Sequence, residues 1–580
     1  MHGKQLSRRD ALKFTAALAG ALGTSSLAVS GAAQASPATP APARQALIDA
    51  TVVTMDAERP SAAAVLVEGD RIVRVGSVDE IRAALRERGG GRETDLGGRT
   101  LAPGFLDPHG HFLLTGISTL TADLSAPPLG TVDSIEQVLA RLREQAAKPV
   151  VGGNWTWVVG MKFDDTAIRE QRFPTLAELD AVAPDRPLFL LHISAHLAMV
   201  NSAGLAALGI SRDTPDPAGG EYGRAADGTP NGLLLESAAS TTLNKAIPTF
   251  DPAAVLRVVD AAADGCLSAG VTTAWDAAVS PLLLTAYSVL AQVPYLRVRL
   301  GLWIDGEHVS GIRDAVGKAP NRAPWLQTMG VKGFADGSIQ GWTAALTEPY
   351  HRFPAAGAPA GPSGKLRTSV EDLTELITTA FDCGLPAALH ANGDAAADAV
   401  LAATRAARTR TGVPLPVLMQ HCQVLREDQI QEMAGLGIHA SVFSRHIYVW
   451  GDRHRDIFLG PQRAARLDPA RSLIDAGVSV TLHNDSPVTP LDPLATMRDA
   501  VQRRTATGAV LGPAQRLTAE EALAAYTSEA ARQLGFSDRG MLTPGRLADF
   551  TVLNRDPRGT DLAGIQVEQT WVGGVHSWSR

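Results

Sequence analysis

Pro103-Gly104-Phe105-Leu106-Asp107-Pro108-His109-Gly110-His111 is the stretch on which the reading of this chain turns. An apolar run that starts after Gly104 and ends in two histidines one residue apart reads as a buried strand, Phe105–His109, with chemistry at its C-terminal end. Alternate residues of a strand share a face, so the two imidazoles are expected on the same side. Seven further strand-like runs follow: Gly270–Trp275, Arg297–Trp303, Gly330–Phe334, Pro386–His390, Val417–His421, His439–Phe443 and Val478–Leu482. Helical stretches separate them. Ser369-x-x-Asp372 resembles a capping box and Gly384 a helix stop; Thr518-x-x-Glu521 opens an Ala-rich helix that Gly535 ends. Strand–helix alternation calls for a parallel sheet with helical crossovers. Eight such units predict an α/β fold, a (β/α)₈ TIM barrel, enlarged beyond the usual ~250 residues.

Outward from the barrel the texture changes. Short β runs at Ala46–Val53, Ala64–Glu68 and Arg71–Gly76 return at Ala548–Leu553 and Thr570–His576. Both chain ends are therefore expected to build one small β-sandwich, from residues 44–103 and 536–580, around a barrel at 104–535. The excess length sits at about 150–255, between the first two strands, where a lid-like insertion is expected. Its Gly219-Gly220 and Asp227-Gly228 steps suit a hairpin over the pocket. Residues 36–43 read as a Pro/Ala linker. Residues 1–35 resemble a twin-arginine signal peptide: Ser7-Arg8-Arg9-Asp10-Ala11-Leu12-Lys13, an Ala/Leu-rich stretch, then Ala33-Gln34-Ala35. The usual form of that signal has Phe where this chain has Ala11. The expectation is export by the corresponding machinery, to the periplasm or the medium.

Composition narrows the classes. Hydrophobic residues make up 45% of the 580-residue chain and charged residues 19%, the balance of a soluble globular protein. The formal charge is −7 with no basic stripe, so no nucleic-acid partner is expected. Cys266, Cys383 and Cys422 form no CxxC pair, which removes thiolate metal sites and disulfide frameworks. Beyond the leader no apolar run approaches the roughly 20 residues of a membrane helix, so no membrane partner is expected once the signal is removed.

In such barrels catalytic groups sit at the C-terminal strand ends. Those ends carry His109 and His111, then Lys332, His390, His421 and, after the last strand, Asp485. Imidazoles and a carboxylate suit zinc and similar divalent ions. His483, two residues before Asp485, also faces inward, either orienting Asp485 or packing in the barrel. His446 lies in the stretch 444–454 beyond the seventh strand, and His192 and His196 lie in the insertion with Trp155 and Trp157. His196, His446 and His483 are the candidate substrate-binding residues. Cys422 is expected to point away from the barrel axis.

The first-strand stretch resembles the signature of the amidohydrolase superfamily. Longer stretches are similar to its family 3 branch, which holds the N-substituted formamide deformylases. They are Asp185-Arg186-Pro187 through His196, Val200-Asn201-Ser202, Val331 through Ser338, and His390-Ala391-Asn392-Gly393-Asp394-Ala395-Ala396. Gln420 through Leu425, Asp485-Ser486-Pro487-Val488 and Gly545 through Phe550 complete them. The resemblance implies a metal-dependent hydrolase, often binuclear, acting on a small molecule, with a homodimer as the expected assembly. By that pattern His109, His111 and Asp485 hold one ion, His390 and His421 the other, and Lys332 bridges them as a carbamate; a mononuclear site with unmodified lysine stays open. Asp485 would be the catalytic base for a metal-activated water. The leading expectation is hydrolysis of a non-peptide C–N bond in an N-substituted amide, formamide or carbamate. Ester or lactone hydrolysis, isomerisation or decarboxylation on the same scaffold, and an exported non-catalytic binding protein, are the alternatives. No Gly-x-Ser-x-Gly elbow is present.

Overall fold

A computed structural model of the protein describes residues 44–148, 155–247, 252–292, 295–353, 360–559 and 561–580. The leader and linker expected at 1–43 lie outside the described residues. Among those described, no helix is long and apolar enough to cross a membrane.

Eight parallel strands follow one another round a single sheet in chain order: Phe105–Asp107, Val271–Val279, Arg299–Asp305, Leu326–Phe334, Ala387–Ala391, Val417–His421, His439–Val442 and Val480–Leu482. Almost every residue in them is buried, as expected of strands covered on both faces. The (β/α)₈ barrel is nearly closed. The last and first strands share no ladder; loops bridge that seam, with the His111 N–H donating to the Ser486 carbonyl at 2.8 Å.

Helix ends follow the local chemistry. The Ser369 hydroxyl accepts the Asp372 N–H, and Thr518 and Glu521 form a reciprocal capping box. The Ala-rich stretch after Thr518 differs from the single helix expected: it forms Ala519–Ala524 and Ser528–Gln533. The break leaves the Tyr526 carbonyl free to accept the Leu106 N–H of the first strand at 2.8 Å. The Tyr526 hydroxyl donates to Asn484 Oδ1, one residue before Asp485. A tertiary partner for the backbone outweighs intrinsic helix propensity here.

The two chain ends meet in a pair of sheets. Arg44–Ile48, Ala64–Glu68, Arg71–Gly76 and Arg92–Asp95 make one; Thr51–Val53, Ser61–Ala62, Thr100–Pro103, Phe550–Leu553, Val567–Val572 and Val575–Ser579 make the other. Phe550–Leu553 pairs antiparallel with Thr100–Pro103, and Leu47, Val65, Leu101, Phe550 and Trp571 share one apolar cluster. Barrel and sandwich are tied by a buried ion pair. Arg299, on the third barrel strand, donates from Nε and Nη2 to Asp549 at 2.7 and 2.9 Å, and the Gly573 N–H donates to the same carboxylate at 2.7 Å.

The insertion starts earlier than the sequence pattern indicates. Its sheet runs Gly220–Arg224, Pro230–Glu236, Leu197–Val200, Leu188–His192, Val158–Phe163 and Ala122–Asp123, with a small core of its own around Leu124, Leu142, Phe163 and Leu190. The hairpin Gly220–Arg224/Pro230–Glu236 turns at Asp227-Gly228, where Gly228 takes φ +84°. The sheet is clasped to the helix Arg445–Arg453: Trp450 Nε1 donates to Asp164 Oδ2 at 3.0 Å and Arg453 at 2.8 Å. Burial works against the Asp164 charge, but Arg453 and the other donors hold that carboxyl at about 2.

Asp549→Ala leaves the Arg299 guanidinium, 1% exposed at its side chain, without its partner. Breaking such a pair is expected to cost about 3–5 kcal/mol, read as a lowered midpoint of denaturation; an unchanged midpoint refutes the tie.

Candidate metal centre

The first strand stops at Asp107 because Pro108 has no N–H to continue the ladder. His109 and His111 therefore lie on the turn that follows, and His111 immediately precedes the helix Phe112–Ser118. Strand alternation is not what brings them together. They converge on Asp485, carried by the turn after the last strand. Asp485 Oδ1 lies 3.2 Å from His109 Nε2 and 3.4 Å from His111 Nε2, and Oδ2 lies 3.9 Å from His421 Nδ1.

The rings are oriented by what they donate to. His111 Nδ1 is 3.0 Å from the Ala277 carbonyl, which can only accept, so Nδ1 carries a proton and Nε2 is the atom turned to Asp485. His390 Nε2 is 2.9 Å from the Gly337 carbonyl, which leaves its Nδ1 unprotonated in the neutral ring. The His390 and His421 rings are 4.5 Å apart between centroids, and those of His109 and His421 5.0 Å. His421 and Asp485 take φ +72° and +51°, a left-handed conformation uncommon outside glycine that the surrounding contacts hold in place.

Protonation matches ligation at His109, His390 and His421, and His111 differs. Burial pulls His109 down to about 4 and pulls His390, His421 and His483 well below the ordinary imidazole value. Burial also opposes His111, but there the Asp485 carboxylate wins and the group is raised. Burial opposes the Asp485 charge as well, yet the surrounding imidazoles hold it well below the carboxylate range. Lys332, on the fourth strand, is 1% exposed, and burial lowers it to about 7.

Several of these atoms are buried with no hydrogen-bond partner: His109 Nδ1, Lys332 Nζ and Asp485 Oδ1. Each orphan costs about 1–3 kcal/mol. Neutral imidazole nitrogens facing an ionised carboxylate without well-directed hydrogen bonds are the donor set a divalent cation satisfies. Ligand atoms of His109, His421, His483 and Asp485 all lie within 4.8 Å of one another.

His483 differs from the orienting role towards Asp485. Its Nε2 lies 3.2 Å from His421 Nδ1 and its Nδ1 2.9 Å from Ser441 Oγ. His446 lies away from the cavity: residues Arg445–Arg453 are helical, and the ring packs 4.2 Å from Phe443 with Nδ1 3.5 Å from Asp468. His196 does line the cavity, with its ring 4.8 Å from that of His390. Lys332 makes no bridge to Asp336, whose carboxylate accepts the N–H groups of Ala345, Asn392 and Gly393. Cys422 is buried, its thiol donating to the Met419 carbonyl.

Residues unmarked in the sequence complete the cavity. Asp305 ends the third strand, so the same strand-end reading could have found it; Asp276 lies within the second strand, three residues before its end, and accepts from Tyr287 Oη at 2.5 Å. Arg367 and Glu307 sit on loops with no pattern around them. Leu114, Ile117, Leu243, Ile247 and Leu283 form an apolar wall.

Comparisons agree with this geometry. A family model described as "Amidohydrolase family" matches residues 92–576. An N-substituted formamide deformylase of Arthrobacter pascens is 32% identical over 550 residues, covering 92% of this chain and 98% of the relative. The putative amidohydrolase YtcJ of Bacillus subtilis is 31% identical over 90% of this chain and 97% of its own. Among solved structures, an uncharacterised metal-dependent hydrolase from Pyrococcus horikoshii superposes with a TM-score of 0.71 at 26% identity, over 90% of this chain and 99% of that one.

The His109 ring has a pKa of about 4 in the fold against about 6.5 in an unfolded chain. Below pH ~6.5 the unfolded chain takes up a proton that the native ring refuses, so the stability linked to this group is lost as pH falls from about 6.5 to about 4. In metal-free protein, the melting temperature should therefore fall more steeply across that window in the wild type than in His109→Gln. Parallel curves would contradict the burial of a neutral ring.

Proposed function

This chain belongs to the amidohydrolase family, as a metal-dependent hydrolase on a (β/α)₈ barrel, and from that premise we propose that it cleaves a non-peptide carbon–nitrogen bond in an N-substituted amide, formamide or carbamate. The observation that carries the proposal is the convergence of His109 and His111 on the buried Asp485 carboxylate, beside the unpartnered Lys332. The formamide class is supported by the similarity to the N-substituted formamide deformylase of Arthrobacter pascens.

His109, His111 and Asp485 would hold one ion, His390 and His421 a second, with zinc favoured by the imidazole and carboxylate donors. A bound divalent cation supplies Lewis acidity, making water nucleophilic near neutral pH and polarising the carbonyl. Asp485 then moves the proton. It takes one as the C–O bond forms and returns it to nitrogen as the C–N bond breaks, so that water and amide become acid and amine. Lys332 would enter as a carbamate. Only an unprotonated amine adds to CO₂, releasing a proton as the N–C bond forms, and a lysine lowered to about 7 has that form at neutral pH. The cavity's size and apolar wall suit a small-molecule substrate. Residues 1–35 support export to the periplasm or the medium.

Metal content is the test. Protein produced with zinc and bicarbonate, and purified without chelator, should carry about two ions per chain by mass spectrometry, with loss on Lys332→Ala. Asp485→Asn should lower kcat on the amide or formamide that proves active by about 10²–10⁴-fold. No metal after zinc reconstitution would refute the proposal.

A further inference from the structure

His196 reaches the cavity from the insertion, not from the barrel, and it is held more firmly than a residue that merely lines a wall. Its Nδ1 is 2.6 Å from Glu236 Oε2. Its backbone N–H donates to Ser194 Oγ at 3.2 Å, and its carbonyl accepts the Glu236 N–H at 2.7 Å. Ser194 Oγ is in turn 2.8 Å from His192 Nδ1. Glu236 holds its position at φ +52°, rare for a residue with a side chain. Its carboxylate fills the space beside Gly337, where a Cβ would come within 2.1 Å of Oε1. Arg367 lies 3.8 Å from Oε2 and binds Glu307 at 2.7 Å. Burial opposes the Glu236 charge, but His196 and Arg367 keep the carboxyl below its ordinary value.

A carboxylate accepts and cannot donate, so the proton between the two groups belongs to His196 Nδ1. The neutral ring then carries its lone pair on Nε2. Among the described residues Nε2 has no hydrogen-bond partner, and the ring lines the cavity together with His390, Lys332 and Asp485. An acceptor fixed at that place meets the groups of a scissile amide, of which only the N–H can donate.

We propose that His196, oriented by Glu236, accepts the N–H of the scissile amide, so that the substrate class is amides and formamides that retain an N–H, to the exclusion of N,N-disubstituted amides and esters. This rests on the C–N hydrolase reading above. It gives that reading a mechanical reason: once the carbonyl carbon becomes tetrahedral, the N–H held by His196 leaves the nitrogen lone pair as the position that takes the proton from Asp485. His196 is then a catalytic residue, touching the reacting group, and Glu236 a positioning residue.

The test uses three probes of one size class with metal-loaded enzyme: N-cyclohexylformamide, N-cyclohexyl-N-methylformamide and cyclohexyl formate. The wild type should prefer the N–H compound in kcat/KM by about 10- to 100-fold over the N-methyl compound. His196→Ala should bring that ratio toward 1, and His196→Gln, which keeps an oxygen acceptor, should restore part of it. Glu236→Leu is the second variant, because it is close in volume and removes the acceptor that holds the ring proton on Nδ1. It should lose much of the N–H preference, with metal content unchanged. Variants that slow all three probes equally, or a wild type that takes the N-methyl compound as fast, overturn the inference while leaving a C–N hydrolase standing. A metal-loaded wild type that releases no formate from either formamide removes both.

Discussion

Placing the Asp485 carboxylate inside the mouth of the barrel costs several kcal/mol unless positive or hydrogen-bonding groups meet it, and the chain meets it chiefly with imidazoles. His109 and His111 approach one oxygen and His421 the other. His109 and His421 are too deeply buried to be charged cheaply, which is why His109 falls to about 4 and His421 well below the ordinary value, while the carboxylate raises His111. An ionised carboxylate beside the neutral His109 and His421 rings leaves lone pairs facing one another. The arrangement is complete when a cation occupies the space between them, and that requirement is more restrictive than the barrel itself, which tolerates many sites.

The scaffold is built to hold this cluster from several sides. The seam between first and last strands is bridged where His111 meets Ser486, one residue from Asp485, so closing the barrel and assembling the ligands are one event. Below, the Arg299–Asp549 pair fixes the third strand to the sandwich. Above, the insertion is clasped through Asp164 to Trp450 and Arg453, which sets the height at which His196 and Glu236 stand over the fifth-strand histidine. Hydrolytic chemistry on a barrel is shared by a large family; what distinguishes one chain is what its loops and insertions bring to the mouth.

Much of this was legible beforehand, and the reasons differ from residue to residue. The eight strands could be read because strands buried on both faces must be continuous apolar runs. The site histidines could be read because the barrel brings strand ends to one rim. His446 could not, because nothing local separates a loop over the mouth from the helix Arg445–Arg453 that turns the ring towards Asp468. The Ala-rich stretch after Thr518 has helical propensity throughout, and its break at Tyr526 answers to a strand more than four hundred residues away. Asp305 stands at a strand end and Asp276 near one, but neither is distinctive in the sequence, since a lone acid reads as a cap.

By itself the sequence determined the alternation of elements, the family, and which side chains stand at the C-terminal strand ends, because those depend on local pattern and on motifs contiguous in the chain. Tertiary structure alone decided that Pro108 ends the first strand early and the turn aims both histidines, that His483 serves His421, and that Glu236 and Arg367 come to stand behind His196. Those relations join residues from separate elements, with no periodicity linking them, and only packing brings them within hydrogen-bonding distance.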